Sequence, residues 1–301
     1  MKRNIYSKLW MILFVLMGAA CTNQVEDAIP VSGQPIEFSV QSDWKEIPNT
    51  RLNEGKKQFE AGNKIQIFGF HTSFPGGVKK VQKFMYCVGD TARGQKVGFD
   101  GKDWNYSPKR FWPKEGTLDF YASYPDYSVL NEGDKMTYVQ PDFNPLGVDL
   151  LWGLATNRDC AEAETVPIWM VHALAKVNIF FDSSLGDIKQ AKVSAYKAGY
   201  FKNADNGVPI WHVDDKTDII QATIPKEPTK IGDVTVFILP ERITGLKLIK
   251  LDDGKEIDVS YKIQNITFDA GKEYNLTISK GVQKKNTNSR SIAMSVRCVS
   301  E

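Results

Sequence analysis

Period-two alternation of apolar and polar residues, repeated along nearly the whole chain, limits this sequence more than any other feature. Residues 117 to 124 show it best. Leu118, Phe120, Ala122 and Tyr124 fall on one side, and Thr117, Asp119, Tyr121 and Ser123 on the other. That period, with its aromatic enrichment, predicts a strand buried on one face. Pro113 and Pro125 bound the run because proline donates nothing to a ladder. Lys114, Glu115 and Gly116 supply the turn before it, where glycine can take a positive φ. Phe111 and Trp112, just outside the turn, are placed to cap a core. The stretch is architecture and carries no catalytic group.

Short runs of the same kind fill the rest of the chain. Ile36 to Ser42, Phe59 to Phe70, Phe84 to Val88, Met136 to Val139 and Asp149 to Thr156 read as strands, with turn residues between them. Asp100-Gly101 and Asp253-Gly254 each predict a hairpin, since Asp-Gly suits a type I′ turn. His172 to Asp182 looks partly helical at its start and strand-like from Val177 to Phe181. QAKVSAYKAG, IIQATI, VTVFILP, LKLIKL, EIDVSYKI and EYNLTIS continue the rhythm. No stretch sustains a long helical period. The chain reads as all-β, in two domains large enough to bury separate cores. The polar, acidic run 155–167 marks their boundary, giving domains at 36–165 and 166–280 and an extension at 281–301. FEAGNKI (59–65) and FDAGKEY (268–274) echo one another, each a glycine-supported turn feeding a strand.

Residues 1–20 read as an export signal. Lys2, Arg3 and Lys8 precede the 12 uncharged residues 9–20, a run too short for the ~20 apolar residues a bilayer span needs. Gly18, Ala19 and Ala20 lead into Cys21. This resembles a bacterial lipobox, with Gly18 where a leucine is usual, and predicts acylation at Cys21. The alternative is an ordinary secretory signal followed by a chance cysteine. Residues 21–35 then read as a polar tether. Across the chain 38 basic residues face 36 acidic ones. Loss of Lys2, Arg3 and Lys8 leaves 35 against 36, a net charge of −1, which argues against nucleic acid as a partner. Lys79, Lys80 and Lys83 form the densest basic cluster, as a solvated strand face would.

Little reactive chemistry is visible. With Cys21 acylated, Cys87, Cys160 and Cys298 remain, and three cannot all pair. Cys87 and Cys160 read as buried thiols, with a disulfide between them left open. His71, His172 and His212 lack ligand spacing, so neither a metal nor another cofactor is expected. GDTARGQK (89–96) misplaces the lysine of a phosphate-binding loop. No nucleophile elbow or dinucleotide fingerprint occurs, and the chain is not read as an enzyme. The aromatics Trp104, Tyr106, Trp112, Tyr121, Tyr124, Trp152, Trp169 and Trp211 admit one alternative function, a surface lipoprotein that stacks glycans on exposed rings.

FEAGNKIQIFGF, the DGKDW hairpin, FWPKEGTLDFYASYP, DLLWGLAT, HALAKVNIFF and AGKEYNLTIS occur in an order that resembles the fimbrillin (Mfa-like) family. Those proteins are surface lipoproteins and pilus subunits of the Bacteroides group, and the resemblance covers nearly all of the mature chain. It implies two transthyretin-like β-sandwich domains in tandem behind a lipoprotein signal peptide. It further implies a lipid anchor in the outer membrane, trimming by an arginine-specific protease, and polymerisation with other pilus subunits by strand exchange. Adhesion to a host or bacterial surface ligand would follow.

Two places in the sequence suit that assembly. Arg51 stands in a polar loop with Pro48, Asn49, Asn53 and Gly55, the kind of segment proteases cut. At the other end the linker 281–290 leads to residues 291–299, which alternate strictly. Ile292, Met294, Val296 and Cys298 fall on one face of a strand with no obvious hairpin partner. Ten linker residues at about 3.3 Å each reach roughly 30 Å, the width of a domain. Such a strand could be donated to a neighbouring subunit or could complete its own domain's sheet.

Overall fold

The computed structural model describes residues 29–42, 59–126, 129–133, 135–139, 149–202, 208–213, 219–225, 234–263, 265–280 and 294–300. Strands dominate them, as the alternation requires. Helix is confined, among these residues, to the single turn Ser260–Ile263 and the 3-10 turns Pro75–Gly77 and Ser183–Leu185. None is long and apolar enough to cross a membrane.

The first half is built on one eight-stranded sheet. Its order runs Phe38–Ser42, Val166–His172, Leu151–Asp159, Thr117–Tyr124, Lys64–Ser73, Gln95–Phe99 and Trp104–Asn105, with Lys80–Met85 also paired to Lys64–Ser73. Thr117–Tyr124 is central, with partners on both sides. Its burial departs from the one-face expectation, because Tyr121 and Ser123 are buried along with Leu118, Phe120 and Ala122. The second face is covered by a three-stranded sheet of Val129–Glu132, Lys135–Val139 and Ala198–Lys202. Tyr121 stacks on Trp152 at 5.9 Å, and Phe201, carried by Ala198–Lys202, meets Trp152 edge-on at 4.8 Å. Burial, helped by Asp119, pushes the Tyr121 hydroxyl up to about 12.

The second half packs two four-stranded sheets face to face. One is ordered Val234–Ile238, Ala175–Phe181, Glu273–Lys280 and Met294–Ser300; the other Ile219–Pro225, Ile188–Tyr196, Ile243–Lys250 and Glu256–Asp258. Val177, Ile179, Val193, Leu246, Leu248, Leu276 and Ile278, contributed by both sheets, fill the space between them.

Several local expectations change. Val166–His172, assigned above to the second domain, pairs inside the first sheet with Leu151–Asp159 and Phe38–Ser42. Apart from Tyr196, Phe201, Phe237 and Leu239, which join the first core, the buried residues change from the first core to the second between Leu174 and Ala175. The polar run 155–167 covers the end of Leu151–Asp159, a turn and the start of Val166–His172. Val31–Pro35, read as tether, forms a strand against Phe111–Pro113. The start of His172 to Asp182 shows no helix: Ala175–Phe181 is strand. EIDVSYKI splits into Glu256–Asp258 and the turn Ser260–Ile263. Both Asp-Gly hairpins form, but with longer loops than type I′. In the first, the Asp100 carboxylate accepts from the amides of Lys102 and Asp103 before Trp104 pairs with Phe99. The echo between the halves has a shared cause: Gly62 (φ 91°) and Gly271 (φ 68°) both turn the chain just ahead of a strand.

Candidate strand-exchange site

The chain's first described segment, 29–42, pairs with two elements of the first half. Phe38–Ser42 lies at the edge of the eight-stranded sheet, parallel to Val166–His172, with Phe38 opposite Val166 and Val40 opposite Ile168. Val31–Pro35 runs antiparallel to Phe111–Pro113. Backbone amides bind the segment from both sides. Val166 donates to the Glu37 carbonyl at 2.8 Å and Lys114 to the Pro30 carbonyl at 2.9 Å, while Ile36 donates to the Arg110 carbonyl at 2.9 Å. Gln34 Nε2 donates to the Ala163 carbonyl at 2.7 Å.

Its side chains alternate as the sequence requires. Ile36, Phe38 and Val40 are buried, and Glu37, Ser39 and Gln41 are exposed. Phe38 stands edge-on to Phe120 at 5.3 Å and tilted against Tyr106 at 5.8 Å. The Tyr106 hydroxyl donates to the Ile36 carbonyl at 2.8 Å, and burial raises its pKa despite hydrogen bonding and charge from Arg110. Burying three such side chains contributes roughly 5–9 kcal/mol at about 1.5–3 kcal/mol each. Phe38–Ser42 has one ladder, to Val166–His172, and Val31–Pro35 has one, to Phe111–Pro113, so the segment leaves only by giving up both. The slot it fills would then need another apolar, alternating strand.

At the opposite terminus, Met294–Ser300 lies antiparallel on Glu273–Lys280, at the end of its sheet. The strand therefore has a partner, which its sequence neighbourhood did not reveal. Its register sets Met294 opposite Lys280, Val296 opposite Ile278 and Cys298 opposite Leu276. Cys21, Arg51 and Ile292 lie outside the described residues. The residues that flank the Arg51 stretch do not: Ser42 and Phe59 border a single cavity of about 640 Å³.

The other candidates resolve individually. Cys160 is a buried free thiol, and Cys87 is free and half-buried. Burial, with the Asp159 charge adding, pushes the Cys160 thiol up to about 12. His71 is buried and donates from Nε2 to the Glu115 carbonyl at 2.9 Å. His172 Nδ1 lies 2.8 Å from the buried carboxylate of Asp149, and His212 stacks on Tyr200 at 5.0 Å. Among the described residues no three of His, Cys, Asp and Glu gather as metal ligands would. Trp104, Tyr106, Trp112, Tyr121 and Trp152 are core residues. Trp169, 55 % exposed, is the one tryptophan that faces solvent among them, so the described rings form no stacking row.

No curated protein sequence matches the chain. Among solved structures, a candidate cell adhesion protein of Bacteroides uniformis superposes with a TM-score of 0.53 at 18 % identity, over 89 % of this chain and 98 % of its own. One of Bacteroides ovatus gives 0.55 at 14 %, over 88 % and 95 %. The fimbrial anchor protein Mfa2 of Porphyromonas gingivalis gives 0.41 at 10 %, over 88 % and 96 %. A family model described as fimbrillin-like matches residues 50–293, most of the chain and both cores, and the protein belongs to that fimbrillin-like family.

Proposed function

We propose that this chain is a structural or accessory subunit of a cell-surface pilus, exported as a lipoprotein acylated at Cys21 and joined to other pilus subunits by strand exchange. The observation that carries this reading is the edge segment 29–42, whose Ile36, Phe38 and Val40 are buried while its strands pair with Val166–His172 and Phe111–Pro113. A cut after Arg51 frees that segment covalently while its ladder still holds it. Displacement then requires an incoming strand with the same period. Met294, Val296 and Cys298 have that period, and Ile292 extends it. Met294, Val296 and Cys298 pair in cis with Glu273–Lys280, so donation is a competition between that ladder and a neighbour's empty slot. Main-chain bonds would supply affinity and the apolar side chains register.

Arg51→Ala and the double variant Met294→Asp/Val296→Asp test the two halves of the exchange. Surface-exposed polymers are measured alongside the mass of the mature N-terminus. Both variants are expected to be exported and folded, with polymers lost by at least tenfold. Polymers of normal length from Met294→Asp/Val296→Asp rule out donation by this strand. Unchanged processing in Arg51→Ala rules out that cleavage site.

A further inference from the structure

Ten large apolar side chains are exposed among the described residues, and five of them gather around one hairpin. Phe74, Val78 and Val81, exposed by 59 %, 69 % and 54 %, belong to the hairpin that joins Lys64–Ser73 to Lys80–Met85. Val31 and Phe111 border the hollow beside it, which Lys80 and Gln82 wall from the hairpin's side. Apolar residues scattered singly over a surface are ordinary, but half of them in one place are not.

The turn itself does not ask for them. Residues 74–81 are exposed without a break, and Ser73 opposite Lys80 is the last pair, so 74–79 stand beyond the ladder. Pro75, Gly76 and Gly77 make the turn, with φ of 60° at Gly76 and 81° at Gly77. The Gly77 and Val78 amides donate to the Phe74 and Pro75 carbonyls at 3.1 and 3.2 Å. Polar side chains at 74, 78 and 81 would serve that geometry equally well. The ordered turn instead holds a phenyl ring and an isopropyl group outside the protein. Lys79 is exposed among them, and the sequence carries no acidic residue from 61 to 89.

We propose that this hairpin tip inserts into the interface of a phospholipid bilayer, beside the lipid carried by Cys21. The length of the chain brings the two together. Ile29 lines the same hollow as Lys80 and Gln82, and Cys21 stands eight residues before it. At no more than ~3.6 Å per residue, an acylated Cys21 lies within roughly 29 Å of Ile29. The membrane that holds the anchor is therefore met by this end of the first half. Phe74 and Val78 enter the boundary between headgroups and acyl chains, while Lys79 stays among the phosphates. Alone the tip binds more weakly than one myristoyl chain, whose association constant is about 10,000 M⁻¹. Beside the anchor it acts at high effective concentration, and it fixes which face the protein turns to the bilayer. Phe74, Val78, Lys79 and Val81 lie beyond Arg51, so the tip stays after the proposed cut although Ile29 and Val31 would go. The placement beside the anchor rests on acylation at Cys21; the tip's affinity for lipid does not.

The mature chain 21–301, made unacylated as Cys21→Ser, is sedimented with vesicles of phosphatidylcholine and phosphatidylglycerol. It should bind with a midpoint at roughly millimolar lipid. Phe74→Asp/Val78→Asp should cost at least tenfold in partitioning, and Lys79→Glu severalfold. Phe74→Trp should add emission that brominated acyl chains quench, a sign of insertion that adsorption elsewhere on the protein would not give. Should the double variant lose its native melt, Phe74→Ser alone must still weaken binding. The proposal is overturned if the unacylated chain ignores the vesicles, if the variants bind them unchanged, or if the added emission is not quenched. It is equally overturned if the tip instead pairs two copies of the chain, read as a dimer that Phe74→Asp/Val78→Asp dissolves. The mass of the mature N-terminus reports on Cys21 separately, so failure of acylation and failure of the tip are distinguishable.

Discussion

The two halves close their cores with different side chains and from different sources. The first is aromatic: Phe38, Phe68, Trp112, Phe120, Tyr121 and Trp152 are buried together, often edge to face. The second is aliphatic, filled by valine, isoleucine, leucine and alanine, with Phe268 and Tyr274 its buried rings. Among the described residues every member of the second core lies between 175 and 278, so that core draws none of them from the first half. The first core takes Tyr196, Phe201, Phe237 and Leu239 from the second half, and Ile36, Phe38 and Val40 from the N-terminal segment. The Trp211 indole even donates to the Ala173 carbonyl at 2.6 Å. The first half is therefore the dependent one. Rings explain why: a few large side chains fill a space with little redundancy, and withdrawing one leaves a hole that small neighbours cannot close.

The largest effect should come from Trp152→Ala. Trp152 is fully buried and touches Tyr121 from its own sheet and Phe201 from the other half. Truncating a buried tryptophan typically costs about 3–5 kcal/mol. If the dependence runs one way, hydrogen exchange should accelerate at Ile67, Phe120 and Met170 and stay nearly unchanged at Val177, Leu246 and Leu276. Equal acceleration in both sets would break the comparison and make the chain a single cooperative unit.

How much of this was readable depends on the range of the contacts. The central strand, the two Asp-Gly hairpins and the glycine turns at Gly62 and Gly271 rest on local rules, and the sequence states them. The second covered face of Thr117–Tyr124 rests on Ala198–Lys202, about 80 residues away, and nothing in either segment announces the other. The pairing of Met294–Ser300 was hidden by the polar linker that precedes it. Val166–His172 falls within the second domain read from the sequence because the acidic run before it looks like a boundary, yet its ladder joins Leu151–Asp159.

A smaller effect distinguishes the halves by acid. In the second half Asn178 is buried in a polar ladder, donating to Glu273 at 2.6 Å and Asn275 at 2.9 Å and accepting from Thr235 at 2.8 Å. Burial pushes Glu273 upward, but hydrogen bonds from Lys176 and Asn178 and the positive charge nearby outweigh it, leaving its pKa below the usual value. A depressed folded pKa adds stability above the unfolded value of about 4.3 and loses it as pH falls through the folded one. Glu273 is 41 % exposed, so solvent screening holds the contribution under about 1 kcal/mol. Glu273→Gln should flatten the acid limb of second-half stability between roughly pH 5 and 3, read from the same exchange probes. An unchanged acid limb would show that this ladder does not set the second half's acid response.

The smallest signal is chemical and reports on the first half alone. Cys160 is 2 % exposed, its amide donates to the Gly116 carbonyl at 3.0 Å, and its thiol is held at about 12. Only the thiolate reacts, so raising the pKa by about three units makes native labelling at pH 8 roughly 1,000-fold slower than in the unfolded chain. Peptide-resolved mass spectrometry with iodoacetamide separates Cys160 from Cys87. Phe38→Ala, which takes one ring out of the N-terminal segment while keeping the chain intact, should bring Cys160 labelling up at least severalfold, because that segment binds through Gln34 to Ala163, three residues from Cys160. Exchange at Val177 and Leu276 should stay where it was. Should Cys160 remain as slow as in the unaltered chain, the N-terminal segment would be an ornament on a self-sufficient first half, and the dependence argued here would rest on the rings of the second half alone.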